Sequence, residues 1–289
     1  MKKIKSGIYG LNSLLDGGII ENTATVVIGA AGAGKTTFAL QYIMRGMEVG
    51  DDGVFITLDE NQEQIIKEAV DMGWVDILEY IKNGKLVFID ASAEQFSNFI
   101  RKELPSFVQQ WGGVKSRIVI DPLTPVIWAQ QDKYIQRELI SFLFKELRQV
   151  GTVVCTLEEH GAGDLTGPET VIPMYMADSV VHLKYSTKGE GVERKIKVIK
   201  CRRSKHSERA HDYKILPGVG ISIHHKKRES TGKTEIAEKV LAEFRERMKD
   251  MPKSTRIRLN KALAGLKDSD FETIDPNIFL NDLIEEYQG

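Results

Sequence analysis

The stretch Gly29-Ala30-Ala31-Gly32-Ala33-Gly34-Lys35-Thr36-Thr37 fits the pattern G-x-x-x-x-G-K-[ST], and the β-branched run Thr25-Val26-Val27-Ile28 precedes it. Glycines at 29, 32 and 34 let backbone amides turn inward around a polyanion, a geometry that Cβ atoms hinder. Lys35 supplies a point charge to β- and γ-phosphates, the Thr36 hydroxyl can ligate Mg²⁺, and a helix starting here aims its positive end at the same phosphates. A chance match in a flexible loop is the other reading. The flanks decide against it, because Phe38, Leu40, Ile43, Met44 and Met47 follow at roughly helical spacing. The stretch is read as a nucleoside triphosphate site.

Three further groups could serve it. Asp59 and Glu60 stand where the apolar run Val54–Leu58 hands over to a helix. In an open α/β sheet that is the ligand-binding end of a strand, although a surface charge pair fits the same position. Asp121 ends the run Arg117–Ile120, the place for an acid that holds Mg²⁺ through water with Thr36 on its other side; capping the turn before Pro122 is the alternative. Arg194, Lys195, Lys197, Lys200, Arg202, Arg203 and Lys205 form a basic cluster. Side chains two apart on a strand project from one face, so Lys200 and Arg202 can address one anion; a solvated edge that discourages sheet aggregation also explains the cluster. Cys201, His206 and His211 lack zinc-site spacing and have basic surroundings, so no structural metal is expected.

The elements that must position these groups alternate. Glycines at 7, 10, 17 and 18 predict a turn-rich lead-in. Strands are expected at 25–28, 54–58, 86–89, 117–120 and 152–157. Helices are expected after the Gly-rich loop, from Asn61 (an N-cap with Gln64 three residues on) to Gly73, over 93–110 up to Gly112-Gly113, and over 134–150. This alternation predicts a buried parallel sheet covered on both faces. From Ala177 short strands at 178–185, 192–201 and 220–224 predict an antiparallel extension. The fold class is therefore α/β, a P-loop core with a mainly parallel sheet extended by antiparallel strands, over residues 1–225. Residues 226–233 read as a polar linker into a helical C-terminal tail, 226–289, broken at Pro252 and continued by helices over 255–266 and 276–287. The tail is too small to hold a core by itself, so it docks on the main domain, a neighbouring subunit or a partner protein.

Composition sets outer bounds. The chain of 289 residues has 40 basic and 41 acidic side chains, a balance that neither demands nor excludes nucleic acid. Two cysteines, one of them Cys155 in an apolar run, suit a reducing compartment. Neither a signal peptide nor 18 consecutive apolar residues are found, so a cytoplasmic, unanchored protein is expected.

Taken together, Ser6-Gly-Ile-Tyr-Gly10 with Gly17-Gly18, the P-loop, Phe55–Glu60, Gly73-Trp74, Gly84–Asp90, Ile118–Asp121 and Lys200-Cys-Arg202 with Ser204 and His206 resemble the KaiC family of RecA-superfamily ATPases, in a single-domain archaeal form. The resemblance runs from about residue 4 to residue 224 and implies a RecA-like core. It implies ATP on Gly29–Thr37, Mg²⁺ at Thr36 and Asp121, and slow ATP hydrolysis by a catalytic group of Lys35, Asp59 and Glu60. The family has two adjacent glutamates where this chain has Asp59 and Glu60, and Glu60 is assigned as the base. Lys200, Arg202, Ser204 and His206 match the segment that contacts nucleotide held by the next subunit of a hexameric ring; Arg203 stands where the family has glycine. The resemblance implies a nucleotide-state regulator of partner proteins. A DNA-acting motor or recombinase of the RadA kind is the competing reading. It expects an N-terminal helix-hairpin-helix domain, which the sequence does not show, and a DNA-binding pore loop; the glycine-containing segment 157–173 could be that loop but has no Lys or Arg.

Overall fold

A computed structural model describes residues 1–111, 115–160, 165–188, 191–224, 238–265 and 275–287. Gly112-Gly113, the expected helix stop, and the 226–233 linker lie outside these. The lead-in folds as strands β1 (Lys3–Ile4) and β2 (Ile19–Ile20), paired antiparallel around helix α1 (Leu11–Leu14). Strand β3 (Ala24–Gly29) then runs into the Gly-rich loop and helix α2 (Lys35–Glu48). Strand β4 (Asp52–Thr57) leads to α3 (Gln62–Asp71), whose Asn61 N-cap accepts from the Gln64 amide at 2.9 Å, as its spacing predicts. A short α4 (Ile77–Lys82) and strand β5 (Leu86–Asp90) follow.

The single helix expected over 93–110 is two, α5 (Ala93–Lys102) and α6 (Leu104–Trp111). Pro105 has no amide to continue α5 but suits the first turn of a new helix, so the chain breaks at Glu103. Strand β6 (Ser116–Asp121), short α7 (Thr124–Trp128), α8 (Lys133–Val150) and β7 (Gly151–Glu158) complete the alternation. The segment 157–173, the one that could serve as a pore loop in the competing reading, carries most of a helix, α9 (Pro168–Met176). Strands β8 (Ser179–Lys188), β9 (Gly191–Cys201), β10 (Ala210–Leu216) and β11 (Gly220–His224) end the sheet.

The nine-stranded sheet has the order β11-β10-β9-β8-β3-β7-β6-β4-β5. Strand β8, expected in the antiparallel extension, instead pairs parallel to β3, with α9 as the crossover helix that sets its direction; the antiparallel part begins at β9. Strand β3 therefore lies in the interior, hydrogen-bonded to β8 and β7.

Successive residues of the central strands face opposite layers. Val27, Phe55, Val119, Val154 and Val181 pack against α2 and α3, while Val26, Ile28, Ile120, Val153 and Val180 pack against α5 to α9. Cys155 is wholly buried in the second layer.

The tail helices α10 (Glu238–Arg247), α11 (Lys253–Gly265) and α12 (Pro276–Glu286) dock on the main domain. Phe244, Leu259, Phe279 and Leu283 share a core with Tyr9, Leu216 and Val219. Full burial of each large side chain stabilises that contact by about 1.5–3 kcal/mol. Glu286, 1% exposed, accepts from the Gly7 amide at 2.8 Å, from Arg45 at 3.2 Å and from Asn12. Tyr287 and Thr255 donate to Glu48 at 2.9 and 2.6 Å, so α11 and the end of α12 grip the C-terminal end of α2. Tyr9 bridges to Ser222 along the outer edge of β11. Among the described residues no helix is long and apolar enough to cross a membrane.

Candidate nucleotide-binding site

The Gly-rich loop connects the carboxyl end of β3 to the first turn of α2. Gly34, the residue before that helix, has φ +90°, and a Cβ there would lie 2.6 Å from Ile215 Cδ1. A Cβ on Gly29 would come within 2.8 Å of the Leu183 carbonyl oxygen. Both positions thus require glycine, one for its backbone and one for its missing side chain. The cradle that results lies before a 14-residue helix whose first amides have no partners within the helix.

Beyond the loop opens a cleft of about 400 Å³, lined by Ala31, Gly32, Gly34, Lys35, Thr36, Thr37, Asp59, Glu60, Glu68, Asp121, Glu158 and Ile215. Gly29, Ala30 and Ala33 complete the loop, with Ala33 wholly buried and its carbonyl accepting from the Tyr213 hydroxyl at 2.5 Å. Lys35 folds back and donates to the Ala30 carbonyl at 3.2 Å. Burial lowers its pKa, against the opposite pull of Glu158, Asp121 and Glu159. Asp121, 5% exposed, accepts from the hydroxyls of Thr156 and Thr36. Its burial raises the carboxyl pKa, opposed first by those two hydrogen bonds and then by Lys35.

Asp59 is exposed and Glu60 half-buried. Among the described residues Glu60 Oε2 is buried with no hydrogen-bond partner. Burial raises the Glu60 pKa, helped by Asp121 and Asp59; burial also raises that of Asp59, helped by Glu158 and Asp121. The arrangement is a cation and five carboxylates around a cradle of amides. A polyphosphate carrying a divalent cation complements both signs of charge, with the cation at Thr36 and Asp121.

The other group of candidates lies elsewhere in the chain. Lys200 on β9 and Arg202, in the turn after the strand and so not on one strand face with it as expected, converge on the C-terminal carbonyls of α9. Lys200 donates to Met174 at 2.8 Å and to Ala177 at 2.7 Å, and both cations reach Tyr175. Lys200 stands four residues along β9 from Ile196, the residue level with the top of β3, or about 13 Å of strand. Ser204 accepts from Lys3 at 2.8 Å, and His206 Nδ1 lies 3.0 Å from the Ser207 carbonyl. Arg203 has φ +64°, a conformation that glycine adopts without strain. Within one chain, then, Lys35, Thr36, Asp59, Glu60 and Asp121 meet, and Lys200, Arg202, Ser204 and His206 stand apart from them.

The cleft also holds residues that the sequence did not flag. Glu68 on α3 had no signal that separates it from a solvated helix face. Ile215 lies on β10, a strand that the sequence pattern did not reveal. Arg194, set over the Tyr185 ring at 5.3 Å, reaches the Gly32 carbonyl at 3.3 Å, so one member of the basic cluster touches the chain's own loop.

A family profile described as KaiC, an ATPase, matches residues 4–228. The chain belongs to the KaiC family. A circadian clock oscillator protein KaiC from Thermostichus vulcanus is 30% identical over 235 residues, which are 76% of this chain and 44% of that protein. A UPF0273 protein of Methanopyrus kandleri is 28% identical over 74% of this chain and 89% of its own length. The crystal structure of the KaiC-like protein PH0186 from Pyrococcus horikoshii superposes with a TM-score of 0.64 at 29% identity, covering 78% of this chain and 99% of that one. The chain thus spans under half the length of the clock KaiC proteins but nearly the whole of the archaeal KaiC-like structure, and it has the KaiC-like RecA fold.

Proposed function

We propose that the protein binds ATP with Mg²⁺ in this cleft and hydrolyses it slowly, and that its subunits close into a hexameric ring whose nucleotide state regulates a partner protein. The convergence of Lys35, Thr36, Glu60 and Asp121 at the head of α2 carries this reading. Membership of the KaiC family supports it. The loop amides and Lys35 hold the β- and γ-phosphates. Thr36 and Asp121 would hold Mg²⁺, which when bound neutralises phosphate charge. Glu60 takes the proton of the attacking water: its free, buried oxygen and its raised pKa suit a general base. Asp59, one methylene shorter and exposed, assists.

Lys200 and Arg202, remote from their own loop, are assigned with Ser204 and His206 to nucleotide held by the neighbouring subunit. The catalytic unit is placed in residues 1–225. Residues 226–289 are assigned as an extension that docks on this unit and offers its outer surface to the partner. Mg²⁺-dependent ATP binding by calorimetry, phosphate release and light scattering test the reading together. ATP that binds without Mg²⁺ dependence, or is never hydrolysed, would defeat it.

A further inference from the structure

Behind the Gly-rich loop lies a polar pair for which the roles above have no use. His182 on β8 is 1% exposed, and its Nε2 lies 2.7 Å from Oε2 of Glu159, whose side chain is 4% exposed. Among the described residues the other imidazole nitrogen, Nδ1, is buried without a hydrogen-bond partner. On the same face of the sheet His182 has Ile28 beside it on β3, Val180 two residues before it and Lys197 opposite it on β9. Desolvating two polar groups costs several kcal/mol, and packed apolar side chains are often as stable or more so. What a hydrogen-bonded pair adds over an apolar one is a fixed position.

That position is the end of β7. Glu158 pairs with Gly29 in the parallel register, and the Glu159 amide donates to the Gly29 carbonyl at 3.1 Å. The Glu158 amide donates to Thr124 Oγ1 at 2.9 Å. Successive side chains leave an extended backbone in opposite directions. With Glu159 turned inward to His182, Glu158 is turned outward into the cleft, where its carboxylate acts on Lys35, Asp59 and Asp121.

We propose that His182 and Glu159 are a positioning pair for ATP hydrolysis: held together beneath the loop, they keep Glu158 aimed at the phosphate end of the cleft. This rests on the reading of the cleft as an ATPase site. Neither member of the pair touches nucleotide. Glu158 does, or touches the water around it, as a hydrogen-bond acceptor.

The test is single-turnover and steady-state ATP hydrolysis by the full chain with His182→Leu, His182→Gln and Glu159→Gln, each also made in a Glu158→Ala background. His182→Leu should lower kcat about tenfold while ATP affinity changes less than about threefold, because an aiming defect acts on the transition state and spares ground-state binding. Glu159→Gln should shift kcat in the same direction by a smaller factor. His182→Gln, whose amide can still donate to Glu159, should restore most of the rate. In the Glu158→Ala background His182→Leu should alter kcat by less than about twofold, since the group being aimed is gone. A filler of the core would instead change the melting temperature and leave kcat per folded molecule alone, or cost the same factor in both backgrounds; either result overturns the proposal. If His182→Leu does not fold, the near-isosteric Glu159→Gln decides by the same criterion. A wild type without turnover defeats the ATPase reading itself, whereas an active wild type with unmoved variants defeats the positioning pair alone.

Discussion

At the scale of single residues, the nucleotide cleft concentrates opposite charges that burial makes expensive. Lys35 is the cation that a phosphate chain would meet first, and its ammonium is already stripped of much of its water. Lys35→Ala should abolish ATP binding. In a calorimetric titration with Mg²⁺ present, affinity within about tenfold of wild type, roughly 1.4 kcal/mol, would remove the lysine from the site. The two adjacent carboxylates should separate by role. Glu60→Gln preserves shape while removing the base, so hydrolysis should fall by two orders of magnitude or so with ATP affinity nearly kept; Asp59→Asn should cost less. The reverse order would make Asp59 the base. Burial first, and then Asp121 and Asp59, raise the Glu60 pKa. A base works deprotonated, so on acidification kcat/KM should begin to fall above the ordinary glutamate range, and Glu60→Gln should abolish that limb of the profile.

At the scale of elements, the parts with strong periodicity were legible and the parts defined by tertiary pairing were not. Strands β3, β4, β6 and β7 announce themselves as apolar runs, α3 as a capped stripe and α8 as a stripe alone, because these signals are local. Strand β10 reads Ala-His-Asp-Tyr-Lys-Ile-Leu and has no such run; it exists because β9 and β11 flank it. Helix α9 carries Pro173 in its interior and follows glycines, both signals against a helix, and packing on α8 overrides them. The same gap hid β8's parallel partner, since direction is set by the crossover helix. Within the site, the loop and the carboxylates at strand ends were visible because their chemistry demands fixed spacing, whereas Glu68, Ile215 and the His182–Glu159 pair depend on which elements meet. Helix α12 supplies an element-scale prediction. Asp282 is 7% exposed, its Oδ2 has no hydrogen-bond partner among the described residues, and burial pushes its pKa up to about 7, with Glu285 adding to the rise. The folded state then holds a proton that the unfolded chain releases above the ordinary aspartate range. Its contribution to stability is present at low pH and is lost as pH rises to about 7. Asp282→Asn should accordingly stabilise the protein by about 2 kcal/mol at pH 8 and by little at pH 4, read as denaturant midpoints at the two pH values. Equal shifts at both would show that the carboxyl is not buried and neutral.

At the scale of the whole molecule, the proposed ring accounts for the separation between the Gly-rich loop and the basic pair Lys200 and Arg202. Lys200 and Arg202 sit at the amino end of the parallel strands while the Gly-rich loop sits at the carboxyl end, so one chain cannot bring them together. Head-to-tail contact between identical chains can, and such contacts close into rings when the rotation permits. Mg-ATP should drive assembly in light scattering. Arg202→Ala should lower turnover with the subunit still folded, and mixing it with Lys35→Ala subunits should restore part of the activity, because some mixed interfaces pair an intact loop with an intact arginine. A monomer that hydrolyses ATP at full rate would refute this. The lateral asymmetry of the sheet has a separate consequence. Strand β3 is bonded on both sides at its centre, β11 at one end is bridged by Tyr9, and β5 at the other has, among the described residues, one hydrogen-bonded neighbour, β4. Deuterium should therefore enter from one flank: the outward amides of β5 first, those of β11 later, and those of β3 and β7 only when the entire sheet opens.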